Sequence, residues 1–196
     1  MNNLAELEDI LSRLEKIFSK VKIKYVIVGS IAVIHYGHVR ATQDIDIIIE
    51  DDSSKISQFL GLLRTYEFDV MEDQFYKGYQ ERTNVSIFDK KGYMRLDIKV
   101  ADKKREKDVL YNAVLVKILD YNLYLAPLEY VLLGKIIFMG RIDDIPDSEL
   151  FEYQDIFDFL TLYHANKERI NLELLKQKTN EIGLKSTLDK LLSIKL

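Results

Sequence analysis

Cysteine and tryptophan are absent from this 196-residue chain, and proline and glycine are scarce, with 2 and 8 residues. Without cysteine the chain can form no disulfide, no thiolate zinc site and no catalytic thiol. The scarcity of proline and glycine argues against long flexible linkers. Basic residues are not in excess either, because 28 Lys and Arg face 32 Asp and Glu, for a net charge of −4. The chain therefore lacks the overall positive charge that attracts nucleic acid in general.

Long apolar runs are also missing. The longest, at 25–34 and 44–49, are far too short to cross a bilayer. Residues 1–18 follow the pattern of an acidic amphipathic helix, without the basic and then apolar segments of a signal peptide. We therefore predict a cytoplasmic protein with no membrane partner. Hydrophobic residues make up 47% of the chain and charged residues 31%, which is typical of a globular protein.

The spacing of apolar residues predicts an α+β fold, with a mixed β-sheet flanked by helices and followed by a helical region. The sheet-forming part is predicted over residues 1–126 and the helical region over 127–196. In the first part the predicted helices are 4–20, 31–36 and 54–66, and the predicted strands are 25–28, 44–49, a strand-rich stretch over 68–100, 113–118 and 121–125. After Pro127 the predicted helices are 127–140, 149–164, 168–178 and 181–194.

Two aspartates, Asp44 and Asp46, stand two residues apart in a predicted strand. Side chains at that spacing point to the same face of a strand, so the two carboxylates lie side by side while isoleucines fill the other face. Like charges this close repel unless a cation offsets them. Oxygen ligands alone favour a hard cation such as Mg²⁺. The alternative is a half-exposed edge strand whose aspartates face water.

Gly29 and Ser30 end the preceding predicted strand and lead into a helix. Free backbone N–H groups, the close approach that glycine permits and the serine hydroxyl all suit a phosphate group. The same dipeptide also serves as a simple turn and helix cap.

Asp97 lies between Arg95 and Lys99 on the polar face of a later predicted strand. It is either a partner in a surface ion pair or a metal ligand or general base near cations that hold phosphates.

Together these features favour catalysis more strongly than each does alone. A phosphate loop, two carboxylates on the next strand and a third on a later strand are what two-metal phosphoryl transfer requires, with ions ~3.5–4 Å apart. Arg40 and Thr42, just before the acids, are placed to contact phosphate oxygens.

At this point the sequence resembles a known family, the nucleotidyltransferase superfamily related to DNA polymerase beta. Its signature matches Gly29, Ser30, Arg40, Thr42, Asp44 and Asp46. With His35-Tyr36-Gly37 the sequence looks most like the toxin-type branch that includes the abortive-infection AbiEii proteins. The resemblance covers residues 23–160 and implies a nucleotidyltransferase-type mixed sheet, a nucleoside triphosphate substrate and two Mg²⁺ ions.

The resemblance implies a role for each matching residue. Gly29 and Ser30 would bind the β- and γ-phosphates. The metal ligands would be Asp44, Asp46 and Asp97. Of these, Asp97 would also help to deprotonate the attacking hydroxyl.

In the predicted C-terminal helices, Lys135 and Asp155 resemble the Lys and DxxD motifs of that branch. They would lie near the nucleotide, with Lys135 on the phosphates or the base. The residues themselves leave alternatives open, because a lone Lys in an apolar helix also extends to water. Asp155 and Asp158 also fit the polar edge of an amphipathic helix.

The predicted function is Mg²⁺-dependent transfer of a nucleoside monophosphate from ATP or another triphosphate to a hydroxyl of RNA, such as a tRNA 3′ end, of a protein or of a small molecule. The AbiEii-like features imply a toxin–antitoxin component with an antitoxin protein as partner. The alternative is a catalytically inactive module that binds nucleotide for regulation or interaction. A third hypothesis is a structural protein whose acidic residues are exposed on the surface and have no catalytic role.

Overall fold

Alternating apolar residues build one mixed seven-stranded sheet within residues 3–194, the part of the chain that the computed structural model describes. The strands are β1 Tyr25–Val28, β2 Asp44–Ile49, β3 Phe68–Asp69, β4 Val85–Asp89, β5 Arg95–Val100, β6 Val114–Ile118 and β7 Tyr121–Leu125. Their order across the sheet is β3-β4-β5-β2-β1-β7-β6. The β2–β5 and β1–β7 pairs are parallel, and the other neighbours are antiparallel.

Helices precede, separate and follow these strands. They are α1 Asn3–Val21, α2 Gly29–His35, α3 Ser53–Thr65, α4 Glu72–Glu81, α5 Lys104–Tyr111, α6 Leu128–Met139, α7 Gln154–Ala165, α8 Leu172–Glu181 and α9 Lys185–Ser193. A 3₁₀ turn over Leu150–Glu152 precedes α7. Within residues 3–194, none of these helices is both long and apolar enough to cross a membrane.

The chain divides into two compact units. The first contains the residues up to Ile31 together with Ala41–Ala126, and it holds all the strands described above. The second contains Ala32–Arg40 and the chain from Pro127 onward, and its regular elements are helical. The division falls inside α2, after Ile31.

The core of the first unit follows from the two-residue period of its strands. In β2 the isoleucines at 45, 47 and 49 are buried, while the residues between them are partly exposed. β5 shows the same alternation. Aromatic rings join the helices to this layer: Phe18 of α1 stacks on Tyr25 of β1, and its ring lies 5.7 Å from that of Phe59 in α3. Burial of these large side chains is the main source of stability for the sheet.

A buried ion pair also ties α1 to the sheet. The Arg13 guanidinium donates to both carboxylate oxygens of Asp89 in β4, over 2.8 and 2.9 Å. Arg13 also donates to the carbonyl of Tyr66 after α3. Both charged groups are almost wholly buried, so removing Arg13 would leave the Asp89 carboxylate without its counter-charge, which is costly. Removing Asp89 would leave Arg13 paired only with Asp9, whose carboxylate is about half-exposed.

The predicted α+β class and mixed sheet are confirmed, but the prediction of strands alone over 68–100 is wrong. α4 occupies Glu72–Glu81 within that stretch. The aromatic residues of this segment favour strands by propensity. The helical period places Phe75 and Gly78 on the buried side, however, and acidic residues occupy the first turn, where the helix dipole favours them. The sequence also favours Ser53 as the N-cap of the helix predicted over 54–66, but in the structure Asp52 caps α3 and accepts from the backbone N–H of Ser54.

Candidate active site

Three carboxylates lie on one face of two adjacent strands. Asp44 and Asp46 alternate with buried isoleucines in β2, and Asp97 holds the equivalent position in β5. β2 and β5 pair in parallel with Asp46 directly beside Asp97. Neighbouring strands are about 4.8 Å apart. The register therefore brings together two carboxylates, Asp46 and Asp97, that are 51 residues apart in sequence. The third, Asp44, lies two residues before Asp46 on the same strand.

Arg95 lies among these acids. It is the register partner of Asp44 and precedes Asp97 by two residues, so all three side chains share one face. Its Nε donates to Asp97 Oδ2 over 3.1 Å, and one terminal nitrogen donates to Asp44 Oδ2 over 3.4 Å. The pKa of Arg95 is raised, first by the hydrogen bond that it donates to Asp97 and also by the charges of Asp44 and Asp46. The guanidinium thus offsets part of the repulsion among the carboxylates.

Ser86 orients the other oxygen of Asp97. Ser86 in β4 is the register partner of Asp97 across the antiparallel β4–β5 pair. Its hydroxyl donates to Asp97 Oδ1 over 2.5 Å. Asp97 therefore has one oxygen held by a hydroxyl and the other by a guanidinium.

Gly29 brings the backbone close to Asp46. Its φ is +62°, a left-handed conformation that side chains rarely adopt. A Cβ at this position would overlap a carboxylate oxygen of Asp46. The sequence needs glycine here for both reasons, and the next residue, Ser30, is buried at the start of α2.

Thr42 supports Asp44. Its hydroxyl donates to Asp44 Oδ1 over 2.9 Å, in the segment that leads into β2. The sequence predicted a phosphate contact for Thr42, and in the structure this hydroxyl holds the carboxylate that begins the strand.

The donor set fits a divalent cation in its chemistry, because its ligands are carboxylate oxygens, which suit Mg²⁺. The missing Cβ of Gly29 lets the Asp46 carboxylate lie against the backbone of the turn between β1 and α2. As these side chains stand, no three His, Asp or Glu residues anywhere in the described range 3–194 converge on a common point that would hold a metal. Asp44 and Asp97 each turn an oxygen towards Arg95 instead.

A second charged cluster lies in the helical unit. The Lys135 ammonium in α6 donates to Asp155 over 2.8 Å and to Asp158 over 2.5 Å, both in α7. Lys135 and Asp158 are buried, whereas the Asp155 carboxylate is 40% exposed. The structure therefore brings the predicted pair Lys135 and Asp155 together, with Asp158 as the buried partner.

Asp158 also contacts two residues of the segment that follows α2. His38 Nδ1 lies 3.0 Å from one of its carboxylate oxygens, and the Arg40 guanidinium lies 3.7 Å from the other. Gln154 donates a further hydrogen bond to it over 2.8 Å. The sequence placed Asp158 on the polar edge of its helix, but the structure shows it fully buried at the centre of this network.

The same segment is fixed at its start. The Asn166 amide donates to the carbonyl of Tyr36 over 2.9 Å. Burial raises the pKa of Tyr36 to about 12, reinforced by Glu129. Burial also lowers the pKa of His35, helped by the positive charge of Arg169, which keeps this imidazole neutral at neutral pH.

The predicted site residues thus fall into two groups. In the sheet-bearing unit lie Gly29, Ser30, Thr42, Asp44, Asp46 and Asp97, and in the helical unit lie Arg40, Lys135 and Asp155. Sequence reasoning missed Ser86, which is identified only by strand register. It placed Arg95 on the same face as Asp97, as an ion-pair partner, and Asp158 on the polar edge of its helix, but it counted neither among the site residues.

Comparison with known proteins supports the nucleotidyltransferase resemblance. Residues 3–92 match the model of a family described as nucleotidyltransferase of unknown function (DUF6036). The matched range includes Gly29, Ser30, Asp44 and Asp46 and stops short of Asp97. No curated protein matches the chain significantly.

Solved structures show the same fold at low sequence identity. The antibiotic-resistance factor ANT(2'')-Ia superposes with a TM-score of 0.56 at 12% identity, over 96% of this chain and 93% of that one. An antigenic nucleotidyltransferase-like protein from Paracoccidioides brasiliensis gives 0.54 at 19% identity, covering 98% and 94%. The lincosamide antibiotic adenylyltransferase LnuA, bound to lincomycin, gives 0.50 at 16% identity, covering 81% and 96%. The chain has the nucleotidyltransferase fold, and its particular likeness to the AbiEii branch stays a prediction.

Proposed function

We propose that this protein is a Mg²⁺-dependent nucleotidyltransferase, which transfers a nucleoside monophosphate from a triphosphate to a hydroxyl and releases pyrophosphate. The observation that carries this proposal is the placement of Asp44, Asp46 and Asp97 on one face of paired strands β2 and β5. A purely structural strand pair gains nothing from carboxylates placed side by side, because they repel. Phosphoryl transfer requires such a group of acids.

Each residue of the group has a proposed role. Asp44, Asp46 and Asp97 would hold Mg²⁺, which when bound neutralises charge on the triphosphate. Asp97 would also accept the proton of the attacking hydroxyl, with its carboxylate held in place by Ser86 and Arg95.

The phosphates would lie at the turn between β1 and α2. The absence of a Cβ at Gly29 lets the Asp46 carboxylate lie against the backbone of this turn, so that a phosphate held there would also be next to the metal ligands. Ser30 adds a hydroxyl donor to the same turn. Nucleotide contacts by Thr42, and by Arg40, Lys135 and Asp155 of the helical unit, are part of the proposal.

A small molecule is the acceptor we favour. A structure of ANT(2'')-Ia holds adenylyl-2''-tobramycin, and LnuA is an antibiotic adenylyltransferase. Both neighbours are covered almost end to end by this chain. The net charge of −4 suits a cationic small molecule better than a polyanion. Transfer to tRNA or protein, within a toxin–antitoxin pair, is the second acceptor class to test.

The test is a transfer assay with α-labelled ATP, CTP, GTP and UTP and Mg²⁺. Acceptors would be tobramycin, lincomycin, total tRNA and a cell protein extract, with pyrophosphate release measured in parallel. We expect label on an acceptor and matching pyrophosphate, both lost in Asp46→Asn. Nucleotide binding without transfer to any acceptor class would instead favour the inactive binding module.

A further inference from the structure

A cationic side chain of the protein, Arg95, contacts two of the three site carboxylates. Arg95 hydrogen-bonds Asp97 through Nε and Asp44 through a terminal nitrogen, at 3.1 and 3.4 Å. These bonds take Oδ2 of each aspartate. The Oδ1 oxygens have other partners, because that of Asp97 accepts from Ser86 and that of Asp44 accepts from Thr42. A divalent cation that bridges the two aspartates through their Oδ2 oxygens would therefore meet Arg95.

We infer that Arg95 is a built-in place-holder that competes with the divalent cation for Asp44 and Asp97. This inference rests on the proposed function. In the metal-free protein the guanidinium bridges the two strands and offsets the repulsion among their carboxylates. When a divalent cation binds, Arg95 leaves Oδ2 of both aspartates, and Ser86 and Thr42 keep their hold on the Oδ1 oxygens.

The environment of Arg95 suits a reversible role. Its side chain is 43% exposed, while the Asp44 carboxylate is 33% exposed and the Asp97 carboxylate is 14% exposed. Ion pairs made by a guanidinium this open to water are weak, so a divalent cation can displace it. The contrast within the same unit is Arg13, which binds Asp89 through two short bonds and is buried on both sides of the pair. The buried Arg13–Asp89 pair is expected to stay intact in the folded protein, whereas the Arg95 contacts can be exchanged for other partners.

The competition has a direct signature, because removing the guanidinium should strengthen metal binding by the nucleotide-free protein. Arg95→Gln keeps a polar side chain of similar reach and deletes the charge. Mn²⁺ serves as the probe for the Mg²⁺ site, since it accepts the same oxygen ligands and its free form gives an electron paramagnetic resonance signal. We expect Arg95→Gln to bind Mn²⁺ about three- to tenfold more tightly than wild type, the range expected from the loss of one or two partly exposed ion pairs.

The matched control is Arg105→Gln. Arg105 is exposed on α5, so this variant changes the net charge equally without touching the acids. It should bind Mn²⁺ like wild type. Arg95→Lys, which keeps a positive charge, should also stay close to wild type. Adding Asp46→Asn to Arg95→Gln should abolish the gain, and thermal unfolding monitored by circular dichroism shows that each variant is folded.

The outcomes separate the two proposals. If Mn²⁺ binding depends on Asp46 but Arg95→Gln binds no more tightly than Arg105→Gln, the place-holder inference is overturned and the proposed metal site stands. If no folded variant binds Mn²⁺ in an Asp46-dependent manner, the metal site is wrong and the inference falls with it.

Discussion

Among single residues, Gly29 is the most tightly constrained position of the site. It combines a positive φ with direct contact between its backbone and Asp46. We predict that Gly29→Ala lowers the free energy of unfolding by about 2–3 kcal/mol, because alanine is strained at this φ and its Cβ also displaces the Asp46 carboxylate. Urea denaturation measures the loss, and nucleotide binding should fall with it.

Two other glycines distinguish the effect of backbone strain from the effect of displacing the Asp46 carboxylate. Gly183 has a φ of +71° but open space around a Cβ, so Gly183→Ala should cost only about 1 kcal/mol from backbone strain. Gly61 lies within helix α3 with open space and no positive φ, so alanine there should stabilise by up to about 1 kcal/mol. Equal losses at Gly29 and Gly183 would contradict a specific contact with Asp46.

The sequence predicted the acids of this site but not the residues that hold them. The two-residue period of a strand is local, so it places Asp44 and Asp46 on one face from sequence alone. Ser86 joins Asp97 only because β4 and β5 pair in one particular register. A sequence does not state which strands pair, and for that reason these supporting contacts could not be predicted.

At the scale of elements, Asp158 links α6, α7 and the segment after α2. We predict that Asp158→Asn destabilises the protein by about 3–5 kcal/mol, because it leaves the buried Lys135 ammonium without its main counter-charge. Asp155→Asn is the matched control. Its carboxylate binds the same ammonium but is 40% exposed, so we expect a loss of about 0–1 kcal/mol. Chemical denaturation that gave similar losses for the two variants would show that burial does not set the strength of this pair.

The start of α5 should make stability depend on pH. The Glu106 carboxylate accepts from the backbone N–H groups of Asp102 and Lys103 and lies 2.7 Å from the Lys99 ammonium. Burial acts to raise the pKa of Glu106, but these hydrogen bonds and Lys99 outweigh it and lower the pKa to about 2. Because the folded pKa lies below that of the unfolded chain, the stabilisation is complete above the unfolded value, about 4.3, and is lost as the pH falls towards 2.

Glu106→Gln tests this dependence. We expect it to lower the free energy of unfolding by about 1–3 kcal/mol at pH 7 and by clearly less at pH 3, as measured by urea denaturation. Glu173→Gln is the control, because that carboxylate is 86% exposed in its pair with Lys176. A difference between Glu106→Gln and wild type that stays constant from pH 7 to pH 3 would rule out the lowered pKa.

Elements with strong periodicity were predicted well, and those with mixed signals were not. β2 is observed over the residues predicted, and α1 differs by one residue at each end, because burial on one side imposes the pattern. α4 was missed because its aromatic residues favour strands, while its helical pattern depends on two buried positions, Phe75 and Gly78. Tertiary packing overrode local propensity there.

For the whole molecule, the fold could be predicted and the acceptor could not. Strand alternation in the first part and helical periodicity after Pro127 indicated the fold class, and the acids near Gly29-Ser30 indicated phosphoryl chemistry. Recognition of an acceptor depends on surface shape and charge contributed by distant segments. The sequence does not reveal those, and the solved neighbours share the fold at 12–19% identity.

The most direct test is calorimetric titration of MgATP into wild type and into Asp44→Asn/Asp46→Asn. We predict binding by wild type that requires Mg²⁺ and is lost in the double variant. Asp46 is the register partner of Val28, the residue before Gly29, and Asp44 lies on the same strand beside Arg95 of β5. Thermal unfolding of both proteins confirms that they are folded. Failure of folded wild type to bind any nucleoside triphosphate, or equal binding by the double variant, would contradict a nucleotide site built on these carboxylates.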